Sequence, residues 1–276
     1  MKLAYSVGTP DTKGSLMAFT GNFEKNVADI KAIGYDALDL FVRDPKDMDS
    51  AAVGRVIERS GLAVAAVGTN PAMSQEGLTL LNPDAEIRRA AVERVKSMVD
   101  FAAAYGAPVC IGKYRGQLWK GAEEMAMREL KNAFGDICNH ARKKNIRIML
   151  EPQNKYNINN LNTTREAVAW LEENGFDNAN ILYDTFHGDL NELSVVHGIL
   201  AAKGRIGFVH ASDHDRLPPG TGRINFIDAL GALNVTGYDG YISVEINQKP
   251  DSFTVAEISY KTIRFIIDNM IGYKPA

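Results

Sequence analysis

The chain has 276 residues, 45% of them hydrophobic and 24% charged, enough to bury a full core and ordinary for a soluble globular protein. A formal net charge of −3 argues against a nucleic-acid partner, which usually leaves a basic excess. No apolar run reaches the length of a membrane span, and MKLAYSVGTPDTKG breaks too early for a signal-peptide core, so a soluble, cytoplasmic protein without a membrane partner is expected.

Short apolar runs, polar loops and helical stretches alternate at intervals of about thirty residues. The predicted strands are LAYSVG (3–8), ALDLFV (37–42), AVAAVGT (63–69) and PVCIGKYR (108–115), then RIMLEPQ (147–153), NILYDTFH (180–187), IGFVHASD (206–213) and YISVEIN (241–247). Amphipathic helices fall between them, as in 86–106, where Ala91, Val95, Met98, Val99 and Ala102 share one face. Gly34, Gly61, Gly106, Gly175 and Gly237 stand where helices should stop, each shortly before the next strand. Cys110 and Cys138 lie in apolar contexts and read as reduced core thiols.

Eight βα units without a composition break predict an α/β chain folded as one (β/α)8 TIM barrel domain over 1–276. The competing open, doubly wound sheet would carry a Gly-rich first turn, which Val7-Gly8-Thr9-Pro10 does not supply. Strand parity then makes a demand. Met149 and Glu151 share a face, as do Leu182 and Asp184, Phe208 and His210, and Tyr241, Ser243 and Glu245. Each final residue can point into the barrel at the C-terminal end of its strand, where barrel active sites are built.

Those four residues, Glu151, Asp184, His210 and Glu245, are the candidate ligands of one divalent cation. Singly, each reads as an ion-pair or hydrogen-bonding residue. Buried together without a cation, three carboxylates would raise one another's pKa. One imidazole with three carboxylates suits Mn²⁺, Mg²⁺ or Co²⁺ better than structural Zn²⁺.

The motifs MLEPQN (149–154), YDTFH (183–187), HASDHDRLPPGTG (210–222) and SVEI (243–246) resemble those of the xylose-isomerase-like TIM-barrel sugar isomerases and epimerases, most closely the D-tagatose/ketose 3-epimerases. The resemblance spans essentially the whole chain. It implies that Glu151, Asp184, His210 and Glu245 bind the metal, that Glu151 and Glu245 also form the acid/base pair, and that His187 and Arg216 contact sugar oxygens. It further implies an isomerase of carbohydrate metabolism that inverts C3 of a keto sugar or ketose phosphate, by proton transfer through a metal-stabilised enediolate. By the same analogy a manganese-type cofactor and a homo-oligomer, dimer or tetramer, are expected. Two positions depart from the pattern: Lys155 and Asn157 stand where those epimerases tend to carry Arg and Glu.

Other readings attach to the same site: a keto-inositol dehydratase, a hydroxypyruvate-type aldose–ketose isomerase, an apurinic-site endonuclease or a non-catalytic sugar-binding subunit. The endonuclease needs several metals, and the chain has only five histidines to offer. The loop NPAMSQEGLTLLNPD (70–84) reads as a lid or subunit contact through Met73, Leu78, Leu80 and Leu81. Gly220 and Gly222 read as a phosphate cradle or as simple turn glycines. Asp213 and His214 read as loop polarity or as residues orienting a ligand, Trp170 as a packing residue, and Trp119, in the loop GQLWKG after strand four, as a packing residue or one that reaches the barrel mouth.

Overall fold

A computed structural model describes residues 1–202 and 204–271. Strands β1 (Lys2–Gly8), β2 (Ala37–Phe41), β3 (Ala63–Gly68), β4 (Val109–Ile111), β5 (Ile148–Leu150), β6 (Ala179–Asp184), β7 (Ile206–Ala211) and β8 (Tyr241–Val244) pair in sequence order, all parallel. β8 returns to β1, with Lys2 opposite Tyr241, and closes the barrel. Helices α1 (Phe23–Ile33), α2 (Ser50–Ser60), α3 (Asn70–Glu76), α4 (Ala85–Ala103) and α5 (Glu123–Lys143) cover the first half. The second half carries α6 (Thr164–Glu173), α7 (Thr185–Asn191), α8 (Val195–Ala202), α9 (Phe226–Val235) and α10 (Ser252–Ile266). Among the described residues no helix is long and apolar enough to cross a membrane.

Two apolar layers hold the fold. The larger lies between strands and helices, and α4 buries Ala91, Val95, Met98, Val99 and Ala102 in it as their spacing predicts. The smaller fills the barrel interior with Ala4, Ala37, Ala65 and Ala66 from β1–β3, against Met149, Leu182 and Phe208 from β5–β7. Small residues on one wall leave room for large ones on the other, so the lower barrel is packed and leaves chemistry to the upper rim. The same register carries Asp184 opposite His210 and His210 opposite Ser243. The expected parity is therefore the one the barrel adopts.

The five expected helix-stop glycines all have positive φ. Gly34 shows why: at φ 115° its N–H closes α1, and a Cβ there would press on the Tyr260 hydroxyl at 2.8 Å.

Several segments differ from their sequence reading. The strand expected over 108–115 ends at Ile111, because Gly112 turns the chain into a 3₁₀ turn, Lys113–Arg115. The run 180–187 changes to helix after Asp184, whose carboxylate caps α7 by accepting from the Phe186 and His187 N–H groups. A strand-like β-branched pattern concealed that cap. The 70–84 stretch is not a free lid. Asn70–Glu76 is helical, Pro71 sits in its first turn, and Glu76 accepts from both Arg43 and Arg94. Leu80 and Leu81 are buried in the chain's own core. Trp170 packs edge-on against Phe134, as a packing residue should.

Candidate metal centre and active site

Glu151 directly follows β5, Asp184 ends β6, His210 lies within β7 and Glu245 directly follows β8. Each is at most 6% exposed, and one ligand atom from each lies within 4.8 Å of the others. The structure thus brings the whole predicted quartet together, with His187 and Arg216 beside it.

His210 shows which atom faces the carboxylates. Its Nε2 is 3.0 Å from Asp39 Oδ2, which also accepts from Ser6 and Ser243. Its Nδ1 is buried without a hydrogen-bond partner, 3.5 Å from Glu245 and 3.9 Å from Glu151. Burial opposes the imidazolium, but the Glu245 charge and the Asp39 hydrogen bond prevail and raise its pKa to about 10. An orphaned imidazole nitrogen aimed at three buried carboxylates is a set of donors that fits one divalent cation, with Asp39 fixing the ring from behind.

The carboxylates are unequal. Burial, then the charges of Asp184 and Glu245, lift Glu151 to about 7. Burial raises Glu245 as well, against the pull of Arg216. Asp184 goes the other way: burial would raise it, yet Arg216 and the two histidines bring it to about 2.

Arg216 reaches the site through an unusual backbone. Asp215 and Arg216 both have left-handed φ, 58° and 59°, which strains non-glycine residues. The fully buried Asp213 carboxylate holds that loop by accepting from the N–H groups of His214, Gly220, Gly222 and Ile224. Arg216 then donates to Asp184 at 2.6 Å and Glu245 at 2.9 Å, with its guanidinium 4.5 Å from the Phe186 ring centroid. Gly220 and Gly222 spend their N–H groups on Asp213, so the phosphate-cradle reading is corrected: they organise the loop. His214 pairs with Asp189 at 3.0 Å, away from the quartet.

His187 lies in the first turn of α7 and is 2% exposed. Asn154 Oδ1 accepts from the Tyr156 and Asn157 N–H groups, so its amide nitrogen faces His187 Nδ1 at 2.8 Å. On the other side Nε2 faces Glu151 at 3.7 Å and Arg216 Nη2 at 3.1 Å. Both neighbouring nitrogens are donors, so the ring nitrogen that keeps its proton forgoes one of these two contacts. Burial keeps this imidazole neutral, with its pKa lowered to about 3.

Sequence reasoning missed four supports. Asp39 was legible as a lone carboxylate inside an apolar strand, on the inward parity of Ala37 and Phe41. Arg115 is wholly buried, and its guanidinium donates to the carbonyls of Glu151, Gly112, Asn160 and Leu161. No local pattern signals a partner set spread over that much sequence. Gln153 donates to Glu151 Oε2 at 2.6 Å and accepts from Asn157 at 3.1 Å. Asn157, one of the two departing positions, therefore supports Glu151 through an amide.

A family model described as the xylose isomerase-like TIM barrel matches residues 27–267. The chain is 29% identical over 238 residues to the ketose 3-epimerase of Arthrobacter globiformis, covering 83% of this chain and 81% of that protein. It is 27% identical over 232 residues to the L-ribulose 3-epimerase of Mesorhizobium japonicum, covering 80% and 74%. The crystal structure of D-allulose 3-epimerase from Methylomonas sp. in complex with D-allulose superposes with a TM-score of 0.79 at 25% identity, covering 95% and 96% of the two chains.

Proposed function

We propose, for a chain that belongs to the xylose isomerase-like TIM barrel family, a divalent-metal-dependent epimerase that inverts C3 of a keto sugar. The observation that carries this reading is the convergence of Glu151, Asp184, His210 and Glu245 within 4.8 Å, with His210 Nδ1 left for a cation. The ketose 3-epimerases among its relatives support it.

Those four residues would hold one Mn²⁺, Mg²⁺ or Co²⁺ ion. The cation would supply positive charge to the substrate oxygens on which negative charge develops when the proton beside the carbonyl leaves. Glu151 and Glu245 act as the acid/base pair: one removes the C3 proton, and the other returns a proton to the opposite face. Each contributes about 10²–10⁴-fold in rate. Arg216 and His187 are the contacts for substrate oxygens, and Arg216 gives bidentate geometry to the clamp. The inner chamber lined by Phe41, Cys110, Leu182 and these polar groups holds about 250 Å³. That is below the ~300–1,000 Å³ typical of drug-sized ligands and suits one monosaccharide. We further read residues 1–276 as one domain, acting as a cytoplasmic homo-oligomer in carbohydrate metabolism, with manganese the favoured ion.

Incubation with a ketohexose in D₂O tests the reading. Deuterium should enter at C3 of the epimer, and Glu151→Gln and Glu245→Gln should each abolish it. Product without deuterium would point to hydride transfer, and loss of water to a dehydratase.

A further inference from the structure

A second, larger chamber of about 780 Å³ opens beside the inner one. The two share Met73 and Lys113 as walls. The outer chamber is built by the segments that follow β3, β4 and β5, on the same rim as the metal ligands, and its walls include Leu81, Leu118, Trp119 and Ile158. Met125 edges it with an apolar side chain left 46% exposed. Trp119 is not free to swing out: its indole N–H donates to the Leu81 carbonyl at 2.7 Å, and Arg88 lies against the ring at 5.1 Å. No acidic side chain lines this space, and Lys113, at the junction, is exposed and makes no ion pair among the described residues. Lys120 also lines the chamber and is exposed, so the walls are mostly apolar, carry two lysines and no negative charge, and hold Trp119 in place. They suit an uncharged apolar group rather than a cation.

From this geometry we propose that the outer chamber is a subsite for a bulky apolar substituent on the sugar, so that the preferred substrate is a keto sugar bearing an aglycone-like group at its far end. The inference rests on the keto-sugar reading above. The inner chamber takes the reacting carbons, Met73 and Lys113 flank the joining oxygen, and the substituent lies against Leu118, Trp119 and Met125. Burying such a group removes apolar surface from water only if it reaches these walls, which gives the subsite its selectivity.

The experiment compares D-fructose with 6-O-benzyl-D-fructose on the Mn²⁺-loaded protein, by turnover and by calorimetric binding. The benzyl sugar should show a KM and a Kd lower by about tenfold. Met125→Lys should shrink that ratio toward one. Turnover of D-fructose with no benzyl preference would overturn the subsite and leave the epimerase reading standing. Tenfold tighter binding of the benzyl sugar, sensitive to Met125→Lys, without turnover of either sugar would uphold the subsite and sink the epimerase reading. If Met125→Lys instead converts a dimer to monomers in sedimentation, the chamber's occupant is a second copy of the chain and the subsite is wrong.

Discussion

Asp39 and His210, 171 residues apart in sequence, meet at 3.0 Å in the barrel interior, and this contact decides which imidazole nitrogen faces the three carboxylates. With Nε2 committed to Asp39, Nδ1 is the atom left to bind a cation. Residues that orient a metal-binding imidazole in this way typically change affinity by about 10–100-fold when replaced. Asp39→Asn, which keeps an acceptor but removes the charge, should weaken Mn²⁺ binding in that range by calorimetry. An unchanged affinity would mean that Asp39 only fills the core.

Gly112 is the residue over which Glu151 lies. A Cβ at that position would collide with Glu151 Oε2, and it would stand 2.8 Å from Gln153 Nε2. The backbone there has φ −104° and ψ −114°, outside the helical and extended regions that alanine favours. Gly112→Ala should lower kcat by about 10²–10⁴-fold in protein that remains folded, the loss expected when an acid/base carboxylate is displaced. Steady-state kinetics beside thermal unfolding decide it. Retained kcat would place Glu151 outside the chemistry.

Gly222 makes a related case for the loop that aims Arg216. Its added Cβ would strike the Asp213 carboxylate, which gathers four backbone N–H groups. Gly222→Ala should therefore raise KM for the sugar more than it lowers kcat. Inorganic phosphate should not compete with substrate, because the loop N–H groups are already taken. Competitive inhibition by phosphate would restore the cradle reading.

How much of this was legible in the sequence follows from where each residue's partners lie. The barrel, the inward parity and the ligand quartet were readable, because period-two patterning and helix-stop glycines are local signals. Arg115 was not, since its partners are spread over distant sequence, and for Asp39 only the inward carboxylate was legible, its partners Ser6, His210 and Ser243 lying on other strands. α7 was missed because YDTFH carries strand-like residues, while its cap, Asp184, was already read as a ligand. Within 70–84 the apolar pattern did not separate Leu80 and Leu81, which are buried in the core, from Met73, which lines the inner chamber.

Burial pushes the Cys138 thiol up to about 12, and burial raises Cys110, at the wall of the inner chamber, as well. Unfolded, such a thiol ionises near 9, so the native state holds its proton where the unfolded state has lost it. The stabilisation is complete below pH 9 and declines as pH rises toward 12, at about 1.4 kcal/mol per pH unit for one thiol. Cys138→Ala should flatten the fall in urea-unfolding free energy between pH 9 and 10, before the tyrosines of the unfolded chain ionise. An identical slope would show that Cys138 is solvated.

The central claim is that one cation sits among Glu151, Asp184, His210 and Glu245. Its most direct test is the Mn²⁺ stoichiometry of chelator-stripped, reloaded protein, compared with that of His210→Ala and Asp184→Ala. One tightly held ion per chain in the parent and none in either variant is the predicted result. Absence of tight binding in the parent, or equal loading in the folded variants, would contradict it.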